Sequence, residues 1–283
     1  MAELARVRRR SSGRLGSVLT HTVLILGAVT MLAPFLWELL TSLKTLGESL
    51  AVPPTVIPSV LQWVNYAEVF ESLPFAEQFG NTVAQTILRT AGQVLFSAAA
   101  GFAFARLEFP FKRTIFAIFI STLMIPAQLF ILSRYQIIQG LGLLDTVAAL
   151  ALPGLVGAFG VFLMRQFFLQ IPEELMDAAR IDGANAFQIF WRIMLPLARN
   201  GLLALGILSA IWAWNDLLWP LVVNSKPTTV TLSVGLATLQ GEFTTNYPVL
   251  MAGSLLASIP MIVLFVIFQK RMIEGIAASG IKG

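Results

Sequence analysis

Six long apolar runs separated by polar connections constrain this chain of 283 residues more than any other feature. A helix rises about 1.5 Å per residue, so roughly 20 mostly apolar residues cross the ~30 Å hydrocarbon core of a bilayer. The segments Ser17–Leu43, Thr82–Phe104, Thr114–Ser133, Thr146–Met164, Leu202–Val223 and Val249–Phe268 meet that length. Lipid offers no hydrogen-bond partners to an open backbone, so such segments are expected as helices. The expected fold class is an all-α polytopic membrane protein with six transmembrane helices. Composition supports this, because only 12% of residues are charged where soluble domains carry about 25%, too few to cover a water-facing surface.

Arg6, Arg8, Arg9, Arg10 and Arg14 precede the first run as they would in a secretory leader. The run is too long for one and lacks a small-residue cleavage site, so it is expected to remain as a helix. Orientation follows from the basic residues, which stay cytoplasmic when they lie in short loops. With the N-terminus inside, the inner segments hold those five arginines, then Arg106, Lys112 and Arg113, then Arg165, Arg180, Arg192 and Arg199, then Lys270, Arg271 and Lys282. The outer segments receive only Lys44, Arg134 and Lys226, and Arg89 falls in the outer part of the second run. Both termini are therefore expected in the cytoplasm.

Several function classes are excluded by what the chain lacks. There is no cysteine and one histidine, so thiolate metal sites and disulfides have no ligands. Basic residues are dispersed among short loops without interleaved aromatics, so no nucleic-acid partner is expected. No GxxxxGK[ST] phosphate loop occurs, so any ATP must be hydrolysed by another chain. No cluster of catalytic carboxylates, histidines or an activated nucleophile stands out, and the chain is not expected to be an enzyme.

Two outer loops carry their own signals. Residues 44–80 contain Pro53, Pro54, Pro58 and Pro74 with Glu48, Glu68, Glu71 and Glu77, which reads as an irregular acidic connection. Residues 224–248 mix β-branched residues with glycine and suit a segment that re-enters toward the membrane.

The most informative stretch is the cytoplasmic loop from Gln170 to Asn200, whose polarity breaks the apolar pattern. Pro172 with Glu173 and Glu174 reads as a helix start, since proline fits the first turn and carboxylates favour the positive helix end. A short helix over Glu173–Ile181 follows, and Asp182-Gly183 supplies a residue that tolerates left-handed backbone. A second helix is expected from near Ala184, with Phe187, Phe190, Trp191 and Met194 on one face and Pro196 at its end. Ala178, Ala179, Gly183, Ala184 and Ala186 leave this elbow little side-chain bulk, which suits close approach of another protein. An amphipathic elbow that merely joins two spans fits the same residues.

Asp177-Ala178-Ala179, three residues, Gly183, nine residues and Ile193-Met194-Leu195-Pro196 resemble the "EAA" loop of ABC importer permeases, with Asp177 at the glutamate position. The chain is most similar to carbohydrate permeases of the maltose type. Trp212–Val223 looks like their fifth-span signature and Gly275–Gly283 like their C-terminal tail. The resemblance implies a type I ABC importer permease fold, in a multi-pass chain of the cytoplasmic (inner) membrane. It also implies that Glu174, Asp177, Ala178, Ala179, Asp182, Gly183, Ala184, Ile193, Leu195 and Pro196 couple the chain to a cytosolic ATPase. The implied partners are a second permease subunit of different sequence, two ATPase subunits that hold ATP and Mg, an external solute-binding protein and the lipid bilayer. This chain itself would hold no cofactor or metal. Gly241, Glu242, Phe243, Thr244, Thr245 and Asn246 would meet the binding protein, and Gly280, Ile281, Lys282 and Gly283 the ATPase subunits. The implied organisation is a basic cytoplasmic segment 1–16, a first span 17–43, an outer loop 44–80, a five-helix core 81–269 with a coupling loop 170–199, and a cytoplasmic tail 270–283.

Polar residues within the runs have two readings each. Glu38 and Arg89 lie near outer ends, where long side chains reach the interface. Trp212, Asn215, Asp216 and Trp219 offer rings and acceptors that suit sugar hydroxyls along a solute path. Helix-to-helix hydrogen bonding with an interfacial aromatic belt accounts for the same four. His21 suits an interfacial position. Pro126, Pro153-Gly154, Gly157, Gly160, Pro220 and Pro260 fall where spans would bend. A secondary transporter would need a relay of ionisable groups and an internal repeat, neither of which is apparent, and a non-transporting scaffold would leave the elbow without a role.

Overall fold

The computed structural model describes residues 2–241 and 245–280, with side chains over 16–241 and 245–269. Among the described residues every regular element is helical, and the one β-type pairing is an isolated bridge between Gln240 and Thr245. Among the described residues three helices are long and apolar enough to cross a bilayer, Gly16–Ser42, Phe75–Arg106 and Tyr247–Gln269. Three bent pairs, 112–140, 147–169 and 186–214, reach the same length only when each pair counts as one span. The chain divides into two compact units, Met1–Glu71 with Leu239–Leu256, and Ser72–Thr238 with Ala257–Gly283.

In the first unit, α1 (Ala2–Ser42) carries an apolar surface exposed along most of its described length, as a helix facing hydrocarbon would be. Its end is closed by Asn65, whose side chain donates to the carbonyls of Ser42 (2.8 Å) and Lys44 (2.9 Å), groups that the helix leaves unpartnered. Lys44 is buried, donates to the Thr55 carbonyl and sits 4.5 Å from the Trp37 ring centroid. The segment that follows α1 is more regular than its prolines suggest, holding α2 (Leu46–Ser49) and α3 (Val64–Ser72). Thr45 and Glu48 close a capping box on α2. Glu48 also accepts from the Ser59 hydroxyl and backbone, and these bonds, the Ser59 hydroxyl first, lower its pKa to about 2.

The second unit is built around α4 (Phe75–Arg106). This helix begins seven residues before the expected second span, because Gln78 and Asn81 extend it beyond the apolar run. Their amides bind backbone carbonyls of a loop far along the chain: Gln78 to Pro227 at 3.0 Å, Asn81 to Thr228 at 2.8 Å and to Val230 at 3.1 Å. Next come α5 (Lys112–Ser121) and α6 (Ile131–Gly140), bent by 102°, where one span is expected over Thr114–Ser133, so most of α6 lies beyond the expected run. Pro126 explains the break, since it lacks an N–H and holds Ile125 extended at φ −97°, ψ 124°. A shallower 49° bend separates α7 (Val147–Ala151) from α8 (Ala158–Gln170) at the expected Pro153 to Gly157 segment.

Close packing of α4 on α8 relies on small residues, because a methyl on Gly101 would lie 2.9 Å from the backbone nitrogen of Arg165. The elbow comprises α9 (Glu174–Ile181), α10 (Ala186–Ile189), a π-helical turn over Phe190–Met194 and α11 (Leu195–Leu197). The expected fifth span is divided into α12 (Arg199–Trp214) and α13 (Leu218–Val223). After α14 (Leu232–Thr238), set within the expected re-entrant loop, α15 (Tyr247–Gly280) continues without a break through Pro260.

Candidate functional site

The elbow owes its shape to one residue. Gly183 adopts φ +81°, and the closing bonds run from its N–H to Arg180 (3.0 Å) and from the Ala184 N–H to Ala179 (2.9 Å). That pair of bonds is the Schellman closure, which favours glycine because a side chain is strained in left-handed backbone. Asn185 rather than Ala184 then starts the next helix, in a capping box with Gln188 (2.9 Å each way). Pro196 does not end that helix as expected. The preceding π-helical turn widens the ladder so that Leu195 reaches back to Phe190, and the chain turns two residues later at Ala198.

Burial divides the elbow into an anchor and a presented surface. Met176, Ala179, Ile189, Phe190 and Met194 are buried with Phe102, Phe168 and Leu205 in one core, with Ala184, Ile193 and Leu195 packed against it. Phe102 meets Phe168 edge-on at 5.9 Å and Phe190 at 5.3 Å. Arg106 donates to the carbonyls of Phe168 and Ile171 at the end of α8 and pairs with Glu173 at 4.0 Å, tying the start of the elbow to α4. Facing away are Glu174, Asp177, Ala178, Ile181, Asp182, Gly183 and Phe187, with Ile181 86% and Phe187 70% exposed. The single apolar face expected for the second helix is therefore split, Phe190 and Met194 inward, Phe187 and Trp191 outward. Asp177 is held by Arg180 at 2.9 Å across one turn of α9.

A second centre lies at the break between α12 and α13. Asn215 donates to the carbonyl of Ile211 at 2.8 Å, which stops α12, and Asp216 accepts from the Trp219 N–H at 3.4 Å, which starts α13. The other carboxylate oxygen of Asp216 meets Arg89 of α4 at 2.6 Å, with both side chains largely buried. Arg89 is thus a paired residue near the middle of its helix and does not reach for the interface as expected. Gln85, four residues earlier, donates to the Ala213 carbonyl at 2.7 Å. Around the ion pair is a cavity of about 300 Å3 that Gln128, Arg134, Trp212 and Trp219 also line. Among the four residues expected on a solute path, Asn215 stands apart, its side chain turned back to its own helix. Trp219 is buried, with its indole on the Ala149 carbonyl at 2.9 Å. Arg89, Gln128 and Arg134 were missed as cavity residues. Gln78, Gln85 and Arg89 form a polar row at helical spacing, the one signal in the sequence that would have found Arg89.

The expected contacts outside the core are described in part. Gly241 is exposed, and Asn246 donates to Glu68 at 3.3 Å and accepts from the Val249 N–H at 3.5 Å, whereas Glu242, Phe243 and Thr244 lie outside the described residues. Gly280 closes α15, and Ile281, Lys282 and Gly283 also lie outside them.

Comparison with known proteins fits this geometry. A family model described as "Binding-protein-dependent transport system inner membrane component" matches residues 93–272, which include the elbow and Asp216 of the charged cavity but not its partner Arg89. The chain is 36% identical to the arabinooligosaccharides transport system permease protein of Halalkalibacterium halodurans, covering 98% of this chain and 100% of that one. It is 30% identical to the sn-glycerol-3-phosphate transport system permease protein of Yersinia enterocolitica, covering 93% and 96%. Among solved structures, a bacterial ABC transporter involved in the import of the acidic polysaccharide alginate has the same fold, with a TM-score of 0.78 at 24% identity over 92% of this chain and 97% of that one.

Proposed function

The chain belongs to the family of binding-protein-dependent transport system inner membrane components, and from that premise we propose that it translocates a sugar or related polar solute as one permease subunit of an ATP-driven ABC importer. It is a transport subunit and not an enzyme; ATP and Mg are held by two partner ATPase subunits. A second permease of different sequence completes the pathway, and an external binding protein delivers the solute. The elbow carries this reading. Its exposed tip is small, rigidly closed at Gly183 and anchored by an aromatic core to α4, α8 and α12, so it suits transmission of a push from outside.

Six spans with both termini in the cytoplasm are the topology that fits, supported by three full-length helices, three bent pairs and the concentration of basic residues on one side. On this reading residues 1–16 and 270–283 are cytoplasmic, 17–43 is the first span, 44–80 is external and 81–269 is the permease core with its coupling loop at 170–199. Glu174, Asp177, Ala178, Asp182 and Gly183 contact the ATPase, while Ala179, Ala184, Ile193 and Leu195 seat the elbow on the core and Pro196 shapes the turn into α12. Trp212, Asp216 and Trp219, joined by Arg89, Gln128 and Arg134, line the solute path. Residues 241–246 meet the binding protein and residues 280–283 the ATPase subunits.

The test is uptake into proteoliposomes holding this chain with its co-expressed partner subunits and binding protein. Transport of an oligosaccharide or of sn-glycerol 3-phosphate that needs ATP and the ATPase subunits is the expected result. Uptake driven by an ion gradient without the ATPase would overturn the reading.

A further inference from the structure

A further cavity lies away from both of these centres. It has a volume of about 530 Å3 and lies where α4 ends and α5 begins, against the inner part of α8. Its walls combine two chemistries. Phe104, Phe109 and Phe116 form an aromatic wall, with Phe104 at 5.7 Å from Phe109 and 5.1 Å from Phe116. Lys112, Arg113 and Arg165 supply three cations against one carboxylate, Glu108, which pairs with Lys112 at 3.0 Å and is itself 91% exposed. Arg113 has no partner among the described residues. Arg165 spends its Nε on the Phe104 carbonyl at 3.2 Å and lays its guanidinium 4.6 Å over the Phe116 ring, so its terminal nitrogens remain free at the cavity.

We infer that this cavity binds the phosphate headgroup of an anionic phospholipid, with the guanidinium groups of Arg113 and Arg165 on the phosphate and the phenylalanine wall against the glycerol and first methylenes. A hydrated free phosphate would use the cations and leave the aromatic wall idle. A lipid uses both. The position suits it, because α4 is a bilayer-length helix ending at Arg106 and the cavity opens within the next ten residues. Basic pockets between spans at the cytoplasmic face are where anionic headgroups gather. Phe111 at the rim, 78% exposed, is an apolar group placed where acyl chains meet headgroups. The leaflet assigned here rests on the topology proposed above; the binding itself does not.

The test is native mass spectrometry of the detergent-solubilised full chain titrated with phosphatidylglycerol, phosphatidylcholine or soluble sn-glycerol 3-phosphate. Phosphatidylglycerol is expected to bind in preference to phosphatidylcholine. Arg113→Gln and Arg165→Gln each weaken it about fivefold, the equivalent of about 1 kcal/mol per basic group near an anionic surface. Lys226→Gln, outside this cavity, leaves it unchanged. If Arg165→Gln fails to fold, Arg113→Gln with Lys112→Gln carries the test. Equal binding of the two lipids, or variants without effect, overturns the proposal. Displacement of lipid by sn-glycerol 3-phosphate at equal concentration also overturns it, in favour of a soluble-anion site. The native chain has no cysteine, so labelling of Arg113→Cys with an impermeant maleimide reports the leaflet independently of lipid binding.

Discussion

Replacing Gly183 separates what the elbow needs in order to fold from what it needs in order to dock. A methyl built on Gly183 meets nothing within 4 Å, so the first carbon of a side chain there clashes with no part of this chain. The internal penalty is the left-handed backbone at φ +81°, about 1–2 kcal/mol for an ordinary residue and less for asparagine. Against that stand the fully buried side chains of Met176, Ile189 and Met194, each stabilising by roughly 1.5–3 kcal/mol. The anchor wins, and the elbow stays formed in every variant. Gly183→Ala adds strain with one carbon of bulk, Gly183→Asn adds bulk with little strain, and Gly183→Leu adds both. If the tip enters a partner's cleft, Asn and Leu both abolish ATP-driven uptake and binding-protein stimulation of ATPase activity, while Ala retains a measurable part. Trypsin resistance and membrane yield remain at the native level in all three. Native activity in Asn together with equal loss in Ala and Leu would refute the docking argument, because activity would then follow backbone strain instead of size.

Three other perturbations follow from the same structure. Asp216→Asn or Arg89→Gln leaves a largely buried charge without its partner, expected to cost about 3–5 kcal/mol and to lower thermal stability as well as uptake; the double variant should be less unstable than the sum of the two, and strict additivity would refute a coupled pair. Asp145 accepts from the backbone of Ser225 (2.7 Å) and Lys226 (3.3 Å) and from the Thr229 hydroxyl (3.1 Å), and these contacts, the Ser225 N–H first, hold its pKa below the ordinary carboxylate range. Asp145→Gly keeps the φ of +60° and removes the carboxylate, so faster hydrogen exchange at Ser225 and Lys226, by about 1 kcal/mol of protection per bond, is expected. Glu48, with its pKa lowered to about 2, supports the Thr45–Ser59 segment fully above the ordinary carboxylate value, and that support fades as pH falls through about 2; proteolysis of the segment that rises already between pH 7 and 5 would contradict this.

The parts of the fold visible in the sequence were those written in local chemistry. Apolar length located the three bilayer-length helices, and the Asp182-Gly183 pair located the turn of the elbow, because left-handed backbone selects its residue regardless of distant packing. Pro126 marked a bend for the same reason. What escaped notice depended on partners far along the chain. Arg89 and Asp216 are 127 positions apart, so neither advertises the other, and each was weighed as a lone charge. Gln78 looked like a loop residue and Asn81 lay just outside the apolar run, yet their amides serve carbonyls of 227–230 and so belong to α4. The division of the elbow's aromatic residues into anchor and surface also required the packed core, since Phe187, Phe190 and Trp191 share one helical spacing and differ only in what lies opposite them.

The elbow and the charged cavity are built on the same two helices, which gives the chain a physical route between them. Phe102 and Leu205 place α4 and α12 in the elbow's core, while Arg89 of α4 and Trp212 of α12 line the cavity. Close-packed interiors resist compression, so a displacement of the elbow is more easily taken up as movement of a whole helix than as deformation of the core. The place for α12 to move is already present, because the stop at Asn215 and the new start after Asp216 leave α12 and α13 joined by a short linker instead of a continuous helical ladder. The Arg89–Asp216 pair ties that linker to α4, so such a movement would load it. A helix-continuing substitution at the break, Asn215→Leu, is expected to preserve ATPase binding through the elbow while reducing solute uptake. Full transport in that variant would show that the break serves packing alone.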